Sequence, residues 1–472
     1  VTMDFSIFLL HRFEEEKRFC PDEDEAMVRA VQKTFSSILA SSLTTIAGFL
    51  AMCTMRLTLG RDIGIVMAKG VLLGVVSTVT ILPALILTFR RSIARHTHRT
   101  FIPKLRRTSR FVVRRYIPIL AVFVLCFIPF SVAQAKTPVY YTLFDSLPQD
   151  LAGIQGTSRL KEDFGMTTSH FIIVDDGLPA RDMEALTDEI EQVDGIRQVL
   201  SYEKFLGGGV PREVLPTEVR QIFCAGGHEM LLANSSYESG TEAQNAQLDA
   251  LNAIVKRYDP NGVITGEGAM TKDLIEVADV DFRSVSIASI AAVFLIIAIS
   301  FRSASIPVLL VAAIESAIMI NMGIPYFTGT TLPFVASIVI GTIQLGATVD
   351  YAILMTTRFQ EELQKGRDRK EAIQIAATSS DISIITSALV FFCSTLGVAL
   401  ISTMDIVSSI CLMLSRGAVI SALVSIFILP SVLVVFEPII ARTSLWWRTP
   451  KPPKAPKNPQ PGKQALSPAG KH

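Results

Sequence analysis

Apolar residues are gathered along this chain into long runs instead of being spread evenly. A bilayer's hydrocarbon core is about 30 Å thick, and a helix needs about 20 apolar residues to cross it. Runs of that length lie near 34–55, 62–89, 112–133, 284–301, 305–324, 333–356, 382–402 and 406–436, which predicts eight complete spans. A further apolar stub covers 1–11. Several runs contain Gly, Ser, Thr and Pro, residues suited to helices that pack on one another within a membrane. Between 134 and 282 the pattern changes to a polar, acidic stretch that predicts two strand–helix–strand units. One is HFIIVDD (170–176), a helix near 180–193, and RQVLSY (197–202). The other is HEMLLANSSY (228–237), a helix near 241–257, and GVITGEG (262–268). Two such units predict a small α+β sandwich of the split βαβ, ferredoxin-like kind.

Composition agrees with a membrane protein: 50% of the 472 residues are hydrophobic, and mean hydropathy is +0.43. The net charge of +1 averages a basic loop against an acidic domain. Residues 90–115 hold ten Lys/Arg and no acid, so this loop is expected in the cytoplasm. Alternating the spans from there puts 12–33, 358–371 and the tail after Arg442 inside as well, and 134–282 outside the cytoplasm. Arg56 and Arg61 fall in an outside loop, against that trend. The predicted organisation has the end of a first transmembrane repeat at 1–91 and a basic cytoplasmic linker at 92–111. The first span of a second repeat follows at 112–133, an external domain at 134–282, and five more spans at 283–441. The tail, 442–472, is rich in Lys and Pro and reads as disordered.

The six cysteines (Cys20, Cys53, Cys126, Cys224, Cys393 and Cys411) form no CxxC pair and no metal spacing. Only Cys224 falls in the external domain, so no intramolecular disulfide is expected there, and neither metal nor cofactor is implied. The glycine triplet 207–209 with Pro211 marks the connection between the two strand–helix–strand units. A phosphate-binding loop would need a preceding strand, a following helix and a Lys-Ser/Thr end, and these are not evident. The start of the chain carries Asp4 and has no basic region before its apolar residues, unlike a signal peptide.

Laid on itself at an offset of 346, the chain repeats. VTMDFSIFLLHRFEEE (1–16) matches ATVDYAILMTTRFQEE (347–362), pairing Asp4 with Asp350, Phe5 with Tyr351, Ile7 with Ile353, and Arg12-Phe13 with Arg358-Phe359. The match continues through Glu15 and Glu361, Ala26 and Ala372, and Ser41 and Ser387. After one inserted residue it resumes with Lys69-Gly70 on Arg416-Gly417 and Pro83 on Pro430. Six crossings separate the copies, so both run the same way through the membrane, an internal parallel repeat. In the second copy 332–349 complete a helix ahead of Asp350, whereas three residues precede Asp4. The expectation is a fragment lacking earlier spans and a second external domain.

Asp350 lies eight residues before Arg358, and Asp4 eight before Arg12. At about 1.5 Å per residue, each carboxyl is roughly 12 Å inside the membrane border. An ionised Asp at that depth costs at least about 2.5–3.5 kcal/mol, which marks it as a candidate functional residue. Burial favours its protonated form, so it can take up and release a proton. The plainer reading is a hydrogen bond or ion pair that holds the helices together. Occurrence at the same depth in both copies favours a relay, because two nearby acids do not both ionise cheaply. Tyr351 offers a hydroxyl beside Asp350. Weaker candidates for support are Glu315, a mid-span acid without a twin, and the twin pairs Lys69/Arg416 and Ser41/Ser387. Lys69 and Arg416 could act as counter-ions or snorkel to a membrane face, and the serines could be packing material.

Asp-aromatic-x-Ile followed by Arg-Phe-x-Glu-Glu, set twice in matching spans, resembles the signature of MMPL exporters in the resistance–nodulation–division superfamily. The resemblance covers nearly the whole chain, from the middle of the family's fourth span to its twelfth. It implies a cell-membrane exporter of lipids or other hydrophobic molecules, driven by the proton-motive force, with substrate passing through external porter domains. It implies that Asp4, Asp350 and Tyr351 form the proton relay. Phe5 departs from the pattern, standing where the family usually has a second tyrosine. The expected partners are the bilayer, a hydrophobic substrate, protons, and either further copies or a missing N-terminal half; nucleic acid is not expected. Rival readings are a lipid or sterol sensor on the same fold and an auxiliary subunit of protein export. An enzyme is disfavoured, since His170 and His228 stand isolated and the external domain shows no nucleophilic or paired-acid constellation.

Overall fold

All eight apolar runs are helices in the computed structural model, which describes residues 3–20, 22–96, 105–141, 147, 150–202, 204, 221–445 and 447. The N-terminal part contributes α1 (Met3–Glu16), α2 (Glu23–Ala51) with a 3-10 turn at Met52–Thr54, and α3 (Thr58–Thr88). Two short basic helices follow, α4 (Arg90–His96) and α5 (Arg106–Arg114), where the sequence suggested only a linker. Then come the spans α6 (Tyr116–Ala135), α10 (Glu267–Phe301), α11 (Ser305–Thr328), α12 (Phe334–Gln364) and α13 (Arg369–Ile401). The last span is α14 (Asp405–Leu423), a π turn (Val424–Ile428) and α15 (Leu429–Thr443).

Several helices outrun the apolar stretches that announced them. α2 starts at Glu23 and not near 34, because Asp22 caps it, accepting from the Asp24 N–H at 3.1 Å. Glu23, Asp24 and Glu25 in its first turn suit the positive end of the helix dipole. α13 starts at Arg369 in the same way, with Asp368 accepting from the Lys370 N–H at 3.2 Å. The π turn precedes Pro430, which has no N–H and would crowd the carbonyl four residues back. Widening the helix there absorbs the conflict.

The polar stretch between 134 and 282 folds, in its described residues, as two strand–helix–strand units. They are β2 (Thr168–Asp175), α8 (Ala180–Glu191) and β3 (Ile196–Leu200), then β5 (His228–Ser235), α9 (Glu242–Tyr258) and β6 (Val263–Thr265). Strand order is β3-β5-β2-β6, all antiparallel, so the first strands of the two units lie side by side in the middle. A short β4 (Cys224–Ala225) makes a hairpin with β5, and α7 (Ala152–Phe164) precedes the sheet. Alternation along β2 turns Ile172 and Val174 inward, where Leu231, Met183, Leu186, Ile190, Leu251 and Val255 close over them. The glycine triplet 207–209 and Pro211 lie outside the described residues.

Two boundaries differ from the sequence reading. The span expected from 284 is the second half of α10, a single helix of 35 residues that starts at Glu267, next to β6 of the α+β domain. The stretch expected to be a disordered tail from 442 is ordered at its start. Leu445 N donates to the Arg302 carbonyl at 3.0 Å, and Trp447 is buried against Phe359 with ring centroids 5.9 Å apart. Indole burial and one backbone bond hold this segment under the bundle. Residues 448–472 lie outside the described residues.

Candidate functional site

The middle of the bundle is α12. Every side chain from Thr342 to Ile353 is buried, by α2 on one side and by α11, α13 and α14 on the others. Such enclosure follows from its sequence, in which Gly, Ala and Thr allow close approach. At the α2 contact, a Cβ on Gly48 would sit 3.9 Å from the Gly346 Cα, and one on Gly346 would meet the Phe49 ring at 3.4 Å. The backbones therefore come near enough for short side chains to reach across. Thr45 Oγ1 donates to the Gly346 carbonyl at 2.9 Å, one turn before Asp350.

Asp350 is 7% exposed, and its Oδ1 accepts from Ser41 Oγ on α2, with Thr45 Oγ1 at 3.5 Å from the same oxygen. The structure thus joins two sequence candidates, Asp350 and Ser41, and adds Thr45, which the sequence reading missed. Tyr351 is buried beside Asp350. Asp4 belongs to α1, which packs on α2, α3 and α13, but its side chain lies outside the described residues. Phe5 is buried in the main core. Ser387, the twin of Ser41, is buried on α13, the helix against which α1 rests.

The other candidates go elsewhere. Lys69 is exposed on α3. Arg416 is half-buried on α14, with Nε donating to Asn321 Oδ1 at 2.8 Å and Nη2 to the Asn321 carbonyl at 2.9 Å. Asn321 Nδ2 in turn donates to Gln344 Oε1 at 2.8 Å and to the Met413 carbonyl at 3.0 Å, and Gln344 Nε2 to Ser421 Oγ at 3.0 Å. Arg416 is therefore the end of an amide network tying α11, α12 and α14 together, not the partner of a carboxylate. Gly417 makes room for it, since a Cβ there would meet Asn321 Nδ2 and Gln344 Oε1 at 2.8 Å each. Glu315 is half-buried on α11, beside the face of Ala313, Ile314 and Ala317 that packs near Thr348 and Ala352 of α12.

Two further polar links were not anticipated. Asp381 on α13 is fully buried and accepts from Ser109 Oγ of α5 at 3.1 Å, which fastens the basic surface helix to the bundle. His11 Nδ1 and Ser383 Oγ lie 2.8 Å apart and join α1 to α13. A charge cluster sits a few residues beyond the aspartates. Arg12 meets Glu15 at 3.0 Å and Arg358 meets Glu361 at 3.1 Å, while Arg358 also reaches Glu15 at 3.2 Å and Arg12 approaches Glu361 at 4.0 Å. In the α+β domain His170 is fully buried, with Nε2 3.3 Å from Gln247 Oε1. Burial pushes its pKa below the ordinary value and the bond to Gln247 offsets part of that. Among the described residues no group of three or more His, Cys, Asp or Glu could hold a metal.

The sequence model of the MMPL family matches residues 1–119 and 147–456. A membrane protein of Streptomyces coelicolor, ActII-3, is 25% identical over 463 residues, covering 95% of this chain and 61% of its own. Membrane protein YdfJ of Bacillus subtilis is 21% identical over 417 residues, 83% of this chain and 55% of its own. The mycolic acid-containing lipids exporter MmpL11 of Mycolicibacterium smegmatis is 24% identical over 202 residues, 42% of this chain and 20% of its own. The chain thus spans less than two thirds of each of these relatives.

Proposed function

The chain belongs to the MMPL family, and we propose that it is a proton-driven exporter of lipids or other hydrophobic molecules in which Asp350 carries the proton. One observation carries the reading. A carboxylate in the most enclosed helix of the bundle accepts a hydrogen bond from Ser41 of the neighbouring helix, at a depth where an acid is otherwise disfavoured. Ionised Asp accepts only; protonated Asp also donates. Loading Asp350 weakens the Ser41 bond, because a neutral carboxyl is a poorer acceptor than a carboxylate, and a proton on Oδ1 itself makes the Ser41 hydroxyl the acceptor, while Thr45 stays occupied by the Gly346 carbonyl. A proton rewires the α2–α12 contact, and the two arrangements are the alternate states that a transport cycle needs. Tyr351 and Asp4 complete the relay in this reading.

The crossed pairs of Arg12, Glu15, Arg358 and Glu361 support an internal duplication, because matching positions make matching contacts. The sheet order of the 134–282 domain fits the split βαβ, ferredoxin-like form of a porter domain. The basic α4–α5 segment favours a cytoplasmic location for that end of the bundle and an extracytoplasmic one for the domain. The lipid substrate class rests on the exporter MmpL11 of M. smegmatis. These features describe a transporter and give no support to an enzyme.

The test is export of a fluorescent phospholipid from proteoliposomes under an imposed proton gradient. Wild-type export should follow the gradient, and Asp350→Asn should abolish that dependence. Gradient-dependent export surviving in Asp350→Asn would remove the relay.

A further inference from the structure

α6 presents one helical stripe to an open groove: Arg115 at its foot, then Ile119, Val122 and Cys126. Leu423 and Phe427 from the last span form the facing wall, and Ile320 of α11 the floor. The groove has a volume of about 640 Å³, and its lining is apolar apart from the guanidinium at one end. Its wall includes the π turn, whose widened backbone sets Val424, Phe427 and Ile428 toward α6. Val122 and Leu423 are exposed, so the groove opens sideways to lipid.

Two features make this more than a generic lipid-facing surface. The first is length. From Arg115 to Cys126 is eleven residues, about 16 Å along a helix, which is roughly half the hydrocarbon core and so the depth of one leaflet. The second is charge. Arg115 lines the mouth, Arg106, Arg107, Arg110 and Arg114 are exposed on the adjoining α5, and none of the five is in an ion pair among the described residues. The Ser109–Asp381 bond and buried Val112 hold α5 in place, so these guanidiniums are presented on a fixed helix.

We propose that the groove is a binding site for an anionic phospholipid of the leaflet at the arginine end. An acyl chain lies along Ile119, Val122 and Cys126, and the phosphate meets Arg114 and Arg115. That leaflet is the cytoplasmic one in the orientation proposed above. Guanidiniums suit a phosphate because they offer several donors in a planar fork, and basic groups next to a membrane favour anionic lipid. The site lies on the outside of the bundle and uses none of the groups assigned to proton transfer.

The inference can be tested without transport, so its failure and that of the proton relay are distinguishable. The whole chain is reconstituted in phosphatidylcholine bilayers doped with acyl-spin-labelled phosphatidylglycerol or phosphatidylcholine. The fraction of motionally restricted label is then read by electron paramagnetic resonance. Wild type should restrict phosphatidylglycerol with at least about a fivefold preference. Arg114→Gln with Arg115→Gln should bring that preference close to one. Val122→Trp, which fills the groove without touching the charges, should lower the restricted fraction of phosphatidylglycerol. Equal restriction of both lipids by wild type would overturn the proposal. So would a preference that survives the arginine changes, or a groove-filling variant that restricts as much phosphatidylglycerol as wild type.

Discussion

Arg358 on α12 reaches across to Glu15 on α1 at 3.2 Å while holding its own neighbour Glu361 at 3.1 Å, and Arg12 makes the same short-range bond to Glu15. Glu15 is thus shared by two guanidiniums from different helices. The pair is partly exposed, so its contribution is modest, about 0.5–1 kcal/mol. A double-mutant cycle with Glu15→Gln and Arg358→Gln should give a coupling of that size by denaturation in mixed micelles. It should shrink as salt is raised. A coupling near zero at low salt would mean that the helices are held by packing alone.

Removing the hydroxyl from Ser41 tests the polar contact at the centre of the bundle. A hydrogen bond to a charged group contributes about 1.5–3 kcal/mol. Ser41→Ala should therefore lower proton-coupled export at least about tenfold, with folding retained because the side chain is small. Infrared difference spectra on acidification offer a check that needs no substrate. A carboxylic C=O band present in wild type should be missing in Asp350→Asn. Identical spectra would show that Asp350 does not titrate.

The amide network predicts a stability effect in a region without charge transfer. Asn321→Ala leaves Arg416 Nε and Gln344 Oε1 without their partner, while Nη2 keeps the backbone carbonyl, and each buried orphan costs about 1–3 kcal/mol. Gly417→Ala pushes a methyl into the same two amides and should cost about 1–3 kcal/mol by overpacking. Both variants should lower the Tm in detergent, whereas Lys69→Gln, at an exposed site, should leave it unchanged.

The α+β domain should weaken in acid. The pKa of His170 is lowered in the folded state by burial, and its Nδ1 has no partner among the described residues. The unfolded chain therefore binds more protons below the ordinary value of about 6.5. Stability is fully present above that pH and is lost as pH falls toward the folded pKa, at no more than about 1.4 kcal/mol per pH unit. Hydrogen exchange at Ile172 and Leu231, in the strands that pair around His170, should report it. Replacing His170 with Gln should flatten the slope.

Much of this molecule is legible in its sequence because apolar runs and alternation are local signals. The eight spans and the strands around Ile172 and Leu231 are local in that sense, and the depth of Asp350 follows from counting to Arg358. What was not legible depends on partners far apart in the chain. Thr45 is an ordinary helix residue until Gly346 arrives beside it. Asn321, Gln344 and Arg416 share no spacing, and nothing in their neighbourhoods says that three helices bring them together. Ser109 and Asp381 are separated by the whole α+β domain and lie 272 residues apart in the chain. Arg416 looked like the counter-ion of an acid because it has a basic twin in Lys69, yet its environment supplies an amide. Trp447 was grouped with the Lys/Pro-rich stretch that comes after it, but an indole with an apolar slot open beside Phe359 is drawn under the bundle.

α10 has a mechanical meaning. It runs unbroken from Glu267, beside β6, to Phe301 at the far side of the bundle, and at 1.5 Å per residue that is about 52 Å of stiff rod. Partway along, Asp281 accepts the N–H groups of Arg56 and Leu57 at 2.9 and 3.0 Å and so clasps the corner where α2 turns into α3. A rod with no joint has no place to dissipate a tilt. In the proposed cycle, a shift of α2 that breaks the Ser41 contact would therefore lever the sheet at the Glu267 end of the rod, as an oar moves its blade about a fixed rowlock.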